Sequence, residues 1–326
     1  MDFFMGRFQK PIILSLIAAI GLYFGAMFLG DFKETGAAIA ELGTVGWLVI
    51  LLLSLVNYGL RYWRWEWYLT KLSGSRIPHR RHLAYYVSGF ALSTTPGKAG
   101  ETVRSLYLKQ HDVSFNHTLS TFFVERFQDL LTIVLMASAA AFLFEGYGLV
   151  VALTAMVVLG SLPLLHSPFI LTKMNALSAT LSAKPAKLLQ HLLDLLNSSA
   201  VLLKNKELLG GILIGITAWM AEGVGFWYLL VCLGQDVQLV AAVSIYGVAV
   251  LVGAISFLPG GLGSTEAVMG LLLIASGVPE PVAIAATLIC RIATLWFAVF
   301  IGLIVAGILA LNGIVPISGK EVTDLG

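Results

Sequence analysis

Apolar stretches long enough to cross a lipid bilayer recur from one end of this chain to the other. A hydrocarbon core about 30 Å thick needs about 20 consecutive apolar residues in helical form. Six segments meet that length: 11–30, 44–60, 118–144, 148–171, 208–233 and 282–311. Lipid offers the backbone no hydrogen-bond partners, so runs of this kind close their bonds internally as helices. With 58% hydrophobic and 12% charged residues, the chain leaves no stretch for a soluble domain of useful size. The expected fold is one all-α polytopic membrane domain covering residues 1–326. Arg7 and Lys10 precede the first run, as in a signal peptide, but the run continues at spanning length without a small-residue cleavage site, so it reads as a retained helix.

Two further apolar stretches are interrupted, 83–108 at Thr95-Pro96-Gly97 and 240–274 at Pro259-Gly260-Gly261. Basic residues mark the cytoplasmic side. Arg61, Arg64, Lys71, Arg76, Arg80 and Arg81 follow the second crossing, and Lys173, Lys184, Lys187, Lys204 and Lys206 lie between the fourth and fifth, whereas 31–43, 145–147 and 235–236 are almost free of them. With the N-terminus cytoplasmic, the six crossings alternate if each interrupted stretch enters and leaves by the same face as a re-entrant hairpin. The expected location is the inner, cytoplasmic membrane of the cell.

The interrupted stretches resemble each other. Pro96-Gly97-Lys98-Ala99-Gly100-Glu101 and Pro259-Gly260-Gly261-Leu262-Gly263-Ser264-Thr265-Glu266 differ by a two-residue insertion, after which an offset of 165 relates Glu101 to Glu266, Val113 to Val278 and Arg126 to Arg291. The repeat units are about 76–144 and 239–311. Three crossings separate them, and an odd number inverts the second relative to the first. Inverted repeats with broken helices are a transporter signature, with the breaks meeting near the midplane. Proline ends the entering helix, glycine permits the turn, and the departing helix aims its N–H groups and positive dipole end at the break. That arrangement suits a phosphate. The plainer reading is that Pro-Gly marks a loop and that Glu101 or Glu266 caps a helix.

Charges inside membrane segments face a cavity or one another. Glu125 and Asp129 lie four apart on the third crossing beside Arg126, Arg104 lies three past Glu101, Glu222 sits in the fifth crossing and Arg291 in the last. Two readings coexist: internal ion pairs that hold the bundle, and arginines that neutralise an anionic headgroup while some acids take up protons or cations. The expected substrate contacts are Pro96, Gly97, Gly100, Glu101, Arg104, Arg126, Pro259, Gly260, Gly261, Gly263, Glu266 and Arg291, with Glu125, Asp129 and Glu222 as coupling or ion-pair groups. The aromatic run Arg61-Tyr62-Trp63-Arg64-Trp65-Glu66-Trp67-Tyr68 has a headgroup-layer composition, which assigns Arg61 and Arg64 to anchoring or to holding a phosphate. Within 174–206, leucines at helical spacing form an amphipathic helix that lies on the cytoplasmic surface or packs on the bundle. Gly21, Gly25, Gly211 and Gly215 read as packing glycines. Cys232 and Cys290 match no metal or redox spacing, and no His-Glu-x-x-His run occurs, so neither cofactor nor metal is expected.

The ordered set of Leu60-Arg61 to Trp65, Pro-Gly-x-x-Gly-Glu-x-x-Arg (96–104), Glu-Arg-x-x-Asp (125–129), Pro-Gly-Gly-Leu-Gly-x-x-Glu (259–266) and Arg291 resembles the transmembrane region of lysylphosphatidylglycerol synthase, the flippase-like part of the bacterial multiple peptide resistance factor. The resemblance covers nearly the whole chain. It implies translocation of a lipid across the membrane. Full-length members of the family join this region to a cytosolic domain that aminoacylates phosphatidylglycerol. A chain reaching only Gly326 is expected to be a stand-alone member without that domain. Its cargo is then an anionic phospholipid, a glycolipid or a polyprenyl-phosphate-type lipid. The expected partners are membrane lipids, a lipid or lipid-linked substrate and no nucleic acid; a homo-oligomer or a separate lipid-modifying enzyme is left open. Two other classes stand beside this reading: an intramembrane enzyme acting on a lipid-linked substrate, and a transporter of a small solute or ion. No intramembrane histidine is expected to activate Ser264, and no catalytic residue is assigned.

Overall fold

A computed structural model describes residues 40–138, 149, 152–157, 160 and 168–314. The expected crossing at 11–30 and half of that at 148–171 lie outside the described residues, as does the end of the first repeat unit, 139–144. Among the described residues every regular element is helical. The elements are α1 (Gly43–Ser73), α2 (His79–Ser88), α3 (Arg104–Leu108), α4 (Phe115–Ala137), α5 (Pro168–Thr180), α6 (Ala183–Leu202), α7 (Asn205–Cys232), α8 (Leu239–Ile255), α9 (Ser264–Ala275), α10 (Glu280–Arg291) and α11 (Phe297–Leu311). The continuous helices Gly43–Ser73, Asn205–Cys232 and Glu280–Leu311 are long and apolar enough to cross a membrane.

The outside of the bundle is apolar and its inside is charged. Leu48, Leu213 and Phe300 are each more than 60% exposed, while Arg64, Arg104 and Glu125 are fully buried. A water-soluble protein has the opposite arrangement, so the solvent of this surface is lipid. α1 is 31 residues long, about 46 Å at 1.5 Å per residue, and overruns a hydrocarbon core. It ends where Gly74, at φ 67°, adopts a left-handed cap and bonds Thr70 O.

α1 divides the packing into two regions. Its first half joins a core formed with α4, α7, α8, α9 and α10, in which Ile50, Ile133, Phe226, Ile245, Leu273 and Ile289 are buried. Its second half supplies Tyr58, Tyr62, Trp65 and Leu69 to a second, aromatic core with Tyr85, Tyr86, Phe90, Tyr107 and Leu309. α7 lies along α1. A Cβ on Gly215 would stand 3.0 Å from Arg64 Nη1 and 2.9 Å from Thr132 Oγ1, so glycine lets the α7 backbone reach the buried charges. This bears out Gly211 and Gly215 as packing residues.

The two interruptions are built differently. In the first, α2 runs into a 3-10 turn (Gly89–Leu92), the chain reverses with Gly97 and Lys98 at positive φ, and a 3-10 stretch (Pro96–Val103) leads into α3, only five residues long. In the second, α8 packs against α9 across a short turn in which Gly260, Gly261 and Gly263 all have positive φ. A Cβ on Gly261 would sit 3.1 Å from Gly253 Cα, so glycine there permits both the conformation and the close approach of the arms. Sequence reading expects a helix leaving each break; the second is followed by the 12-residue α9, the first by the 3-10 stretch and the five-residue α3.

α6 packs on α4, with Ser120 Oγ donating to Leu195 O at 3.3 Å. Leu193 is buried and Leu192 is exposed. Of the two positions the sequence allows for this helix, it takes the one against the bundle.

Candidate functional site

A cavity of about 280 Å³ lies where the two interruptions meet. Gly97 and Lys98 line it from the first break, and Gly260 and Gly261 from the second. The breaks touch directly: a Cβ on Gly260 would be 3.4 Å from Thr94 Cα and 3.2 Å from Leu295 Cδ2. α1 contributes Tyr58 and Arg61, α4 Arg126 and Asp129, α7 Trp219 and Glu222, and α8 Tyr246. Four cations (Arg61, Lys98, Arg126, Arg291) and two carboxylates (Asp129, Glu222) therefore face one space. On the rim stand Phe257 and Leu258, which are 74% and 45% exposed.

Behind the cavity wall is a network of buried ion pairs. Asp129 is shared by Arg64 Nη2 at 2.5 Å, Arg126 Nη2 at 3.0 Å and Arg61 Nη2 at 3.5 Å. Glu125, one turn earlier, lies 3.9 Å from both Arg64 and Arg104. Glu101 accepts from Arg104 Nη2 at 3.0 Å and from Ser93 Oγ at 2.7 Å. The Arg104 guanidinium is also stacked over Trp65 at 4.0 Å and Tyr86 at 4.7 Å. These aromatic faces replace part of the hydration such a group loses. In this network the Nη2 atoms of Arg61 and Arg126 face Asp129, while their Nε atoms are buried with no acceptor. Buried guanidinium donors normally find one, so the cavity wall holds unused capacity for an anion.

At the second break, Arg291 Nε donates to Glu266 Oε1 at 2.8 Å and its Nη2 to Gly260 O at 2.6 Å. Glu266 Oε2 in turn accepts from Gly263 N at 2.8 Å, which caps the start of α9. Directly after Arg291 the helix makes one π turn, Ile292–Trp296. The Tyr58 hydroxyl donates to Thr294 O within it. A π turn releases backbone carbonyls from their usual partners, and here one is taken up by a cavity-lining phenol.

Several sequence expectations land in the cavity and several do not. Gly97, Arg126, Gly260, Gly261, Arg291, Asp129, Glu222 and Arg61 line it. Pro96, Gly100, Glu101, Arg104, Pro259, Gly263, Glu266, Glu125 and Arg64 stand behind or beside it and shape it through packing and ion pairs. The sequence sets Arg61 and Arg64 in the headgroup layer; the structure turns both inward, at 4% and 0% exposure, because Asp129 and Glu125 compete for them from α4. The α9 N-terminus, expected to face a phosphate, is occupied by the chain's own Glu266, so the capping reading is the one its geometry supports. The repeat is also asymmetric in its charges. Glu266 pairs with Arg291, whereas Glu101 pairs with Arg104, and the position matching Arg104 is the buried Met269. Sequence reasoning missed Lys98, Tyr58, Trp219 and Tyr246. A signal existed only for Lys98, which sits inside the Pro-Gly motif. Among the described residues there is no His, Cys, Asp and Glu cluster able to hold a metal ion. Cys232 and Cys290 are free thiols.

Comparison with known proteins adds to this picture. The UPF0104 membrane protein of Pyrococcus horikoshii is 24% identical over 254 residues, covering 70% of this chain and 75% of that protein. A UPF0104 membrane protein of Methanothermobacter thermautotrophicus is 32% identical over 97 residues, and the match spans 29% of either chain. The family described as the lysylphosphatidylglycerol synthase TM region matches residues 12–302. With that match over most of its length, the chain belongs to the lysylphosphatidylglycerol synthase transmembrane-region family and is a multi-pass membrane protein.

Proposed function

We propose that this protein is a flippase-like lipid transporter that passes an anionic headgroup through the cavity between its two breaks, without covalent chemistry. The observation that carries the reading is the amphipathic character of that one space. Arg61, Lys98, Arg126 and Arg291 face it from several elements, while its rim is apolar and exposed at Phe257 and Leu258. A lipid has the same division between a charged end and apolar chains. Unused donors on Arg61 and Arg126 suit phosphate oxygens, which guanidinium groups bind in a fixed geometry.

In this reading the interrupted stretches are re-entrant hairpins related as an inverted repeat, and rocking of one against the other exposes the cavity to each face in turn. The contact of Gly260 with Thr94 supports it, since the two turns share a surface that can slide or part. The membrane is the cytoplasmic one, with the basic segment from Lys71 to Arg81 on its inner side. Family membership supports a lipid cargo of the phospholipid, glycolipid or polyprenyl-phosphate kind. The partner is the bilayer itself, or an enzyme that modifies the lipid on one side.

The test is outward or inward movement of a fluorescent phosphatidylglycerol in proteoliposomes, read by chemical quenching of the outer leaflet. Arg126→Ala and Arg291→Ala are expected to lower the rate at least tenfold while the purified proteins remain monodisperse. Rates equal to the original protein's would remove the cavity from the mechanism. Movement of a small water-soluble anion with no lipid movement would reassign the protein as a solute transporter.

A further inference from the structure

Six carboxylates are buried among the described residues, and five of them are ion-paired. Glu101 is held by Arg104, Glu125 by Arg64 and Arg104, Asp129 by three arginines, Glu207 by Lys71 and Glu266 by Arg291. Glu222 is the exception. No Lys, Arg or His lies within 4.0 Å of it among the described residues, and its hydrogen-bond partner is the Tyr246 hydroxyl, which donates to Oε2. Yet it is 6% exposed and lines the same cavity as the four cations.

Several elements pack around Glu222. α1 presents Tyr58 and Arg61, α4 presents Arg126 and Asp129, α8 presents Tyr246, α10 presents Cys290 and Arg291, and Lys98 of the first break faces the same cavity. A buried carboxylate keeps its charge only where cations compensate it, and here the cations stand across the cavity rather than in a contact pair. An anion entering the cavity neutralises those cations and adds a like charge facing Glu222. Both effects favour the neutral acid.

Resting on the lipid-transport reading above, we infer that Glu222 is a proton site linked to the anion: it takes up one proton when a phosphate group enters the cavity and releases it when that group leaves. The proton comes from the aqueous side to which the cavity is open. It becomes bonded to a Glu222 carboxylate oxygen, while Tyr246 keeps an oxygen to donate to. Linkage is reciprocal, so protonation of Glu222 tightens the anion by the same factor. Inward and outward steps then differ in proton content, and a proton gradient biases the direction of lipid movement.

The experiment uses the full chain in detergent and dihexanoylphosphatidylglycerol, a phosphodiester that does not itself titrate near neutral pH. Binding is followed by tryptophan fluorescence, since Trp219 lines the cavity. Proton uptake is read with an indicator in weakly buffered solution. The original protein is expected to bind with proton uptake, its affinity falling up to tenfold per pH unit as the carboxylate ionises. Glu222→Gln, which keeps an acceptor for Tyr246, is expected to bind without proton uptake and with a flattened pH dependence; its retained binding reports that it folds. Uptake by Glu222→Gln equal to that of the original protein, or binding by both without uptake, would overturn the proton site and leave the lipid reading standing. No binding by the original protein would overturn the lipid reading and this inference with it. Dimethyl phosphate, the same ester without chains, separates the sources. Equal proton uptake with it keeps Glu222 and moves the ligand to a soluble phosphate ester, and none keeps the ligand a lipid.

Discussion

Replacing Asp129 by Asn removes one charge that three guanidinium groups share, those of Arg61 and Arg64 buried and that of Arg126 partly exposed. The original cluster sets Arg61, Arg64, Arg104 and Arg126 against Glu101, Glu125 and Asp129. In Asp129→Asn four cations face two carboxylates, and Arg64 is deprived of its 2.5 Å ion pair, the tightest of the set. What remains for Arg64 is Glu125 at 3.9 Å and Gly211 O at 3.4 Å. Breaking a buried pair by removing one partner costs about 3–5 kcal/mol, because the other charge is left uncompensated. With three cations affected, the upper end, about 5 kcal/mol, is expected. Arg126→Gln is the internal control. That side chain is 20% exposed and leaves Asp129 two arginines, so its removal is expected to cost only about 1 kcal/mol. Adding Arg61→Leu to Asp129→Asn removes one surplus cation and is expected to recover about 1–2 kcal/mol, within the range of coupled neighbours. Denaturant unfolding in detergent micelles, followed by tryptophan fluorescence, measures all four proteins. A destabilisation for Asp129→Asn within about 0.5 kcal/mol of zero, or one equally large for Arg126→Gln, would refute the shared-carboxylate account.

Gly302→Val is expected to destabilise by about 1–3 kcal/mol through overpacking, because a Cβ there would stand 2.7 Å from Phe90 C, whereas Gly307→Val, with nothing within 4 Å, serves as the neutral control in thermal unfolding. Thr94→Cys with Gly260→Cys, in a Cys232→Ala and Cys290→Ala background, is expected to form a disulfide on mild oxidation in membranes and then to move less lipid than the same protein reduced; failure to cross-link would separate the two breaks. Gly260→Ala and Gly97→Ala both carry the cost of a left-handed residue, about 1–2 kcal/mol, but only at Gly260 would the new methyl also crowd neighbours at 3.2 and 3.4 Å, so it should lose more stability and more transport than Gly97.

The hydropathy of the chain is a local property, and it made the helical membrane fold legible without tertiary information. So did the two Pro-Gly interruptions and the offset that relates Glu101 to Glu266, since each depends on residues near one another in sequence. Positions at helical spacing were equally readable: Arg104 shares a face with Glu101 three residues away and pairs with it. Family membership followed from the same ordered motifs.

Partner choice across the bundle lay beyond that reach. Arg64 is 65 residues from Asp129, and nothing in composition tells an arginine that anchors in headgroups from one that turns inward; the carboxylates of a neighbouring helix decide it. The π turn after Arg291, the capping of α9 by Glu266 and the isolation of Glu222 are likewise results of packing. Sequence alone determined that the solvent is lipid, that the chain is helical and where it breaks, because these follow from hydropathy and backbone chemistry within a few turns. Only the tertiary structure decided which charges satisfy one another and which face the cavity, because electrostatic pairing depends on distance in space.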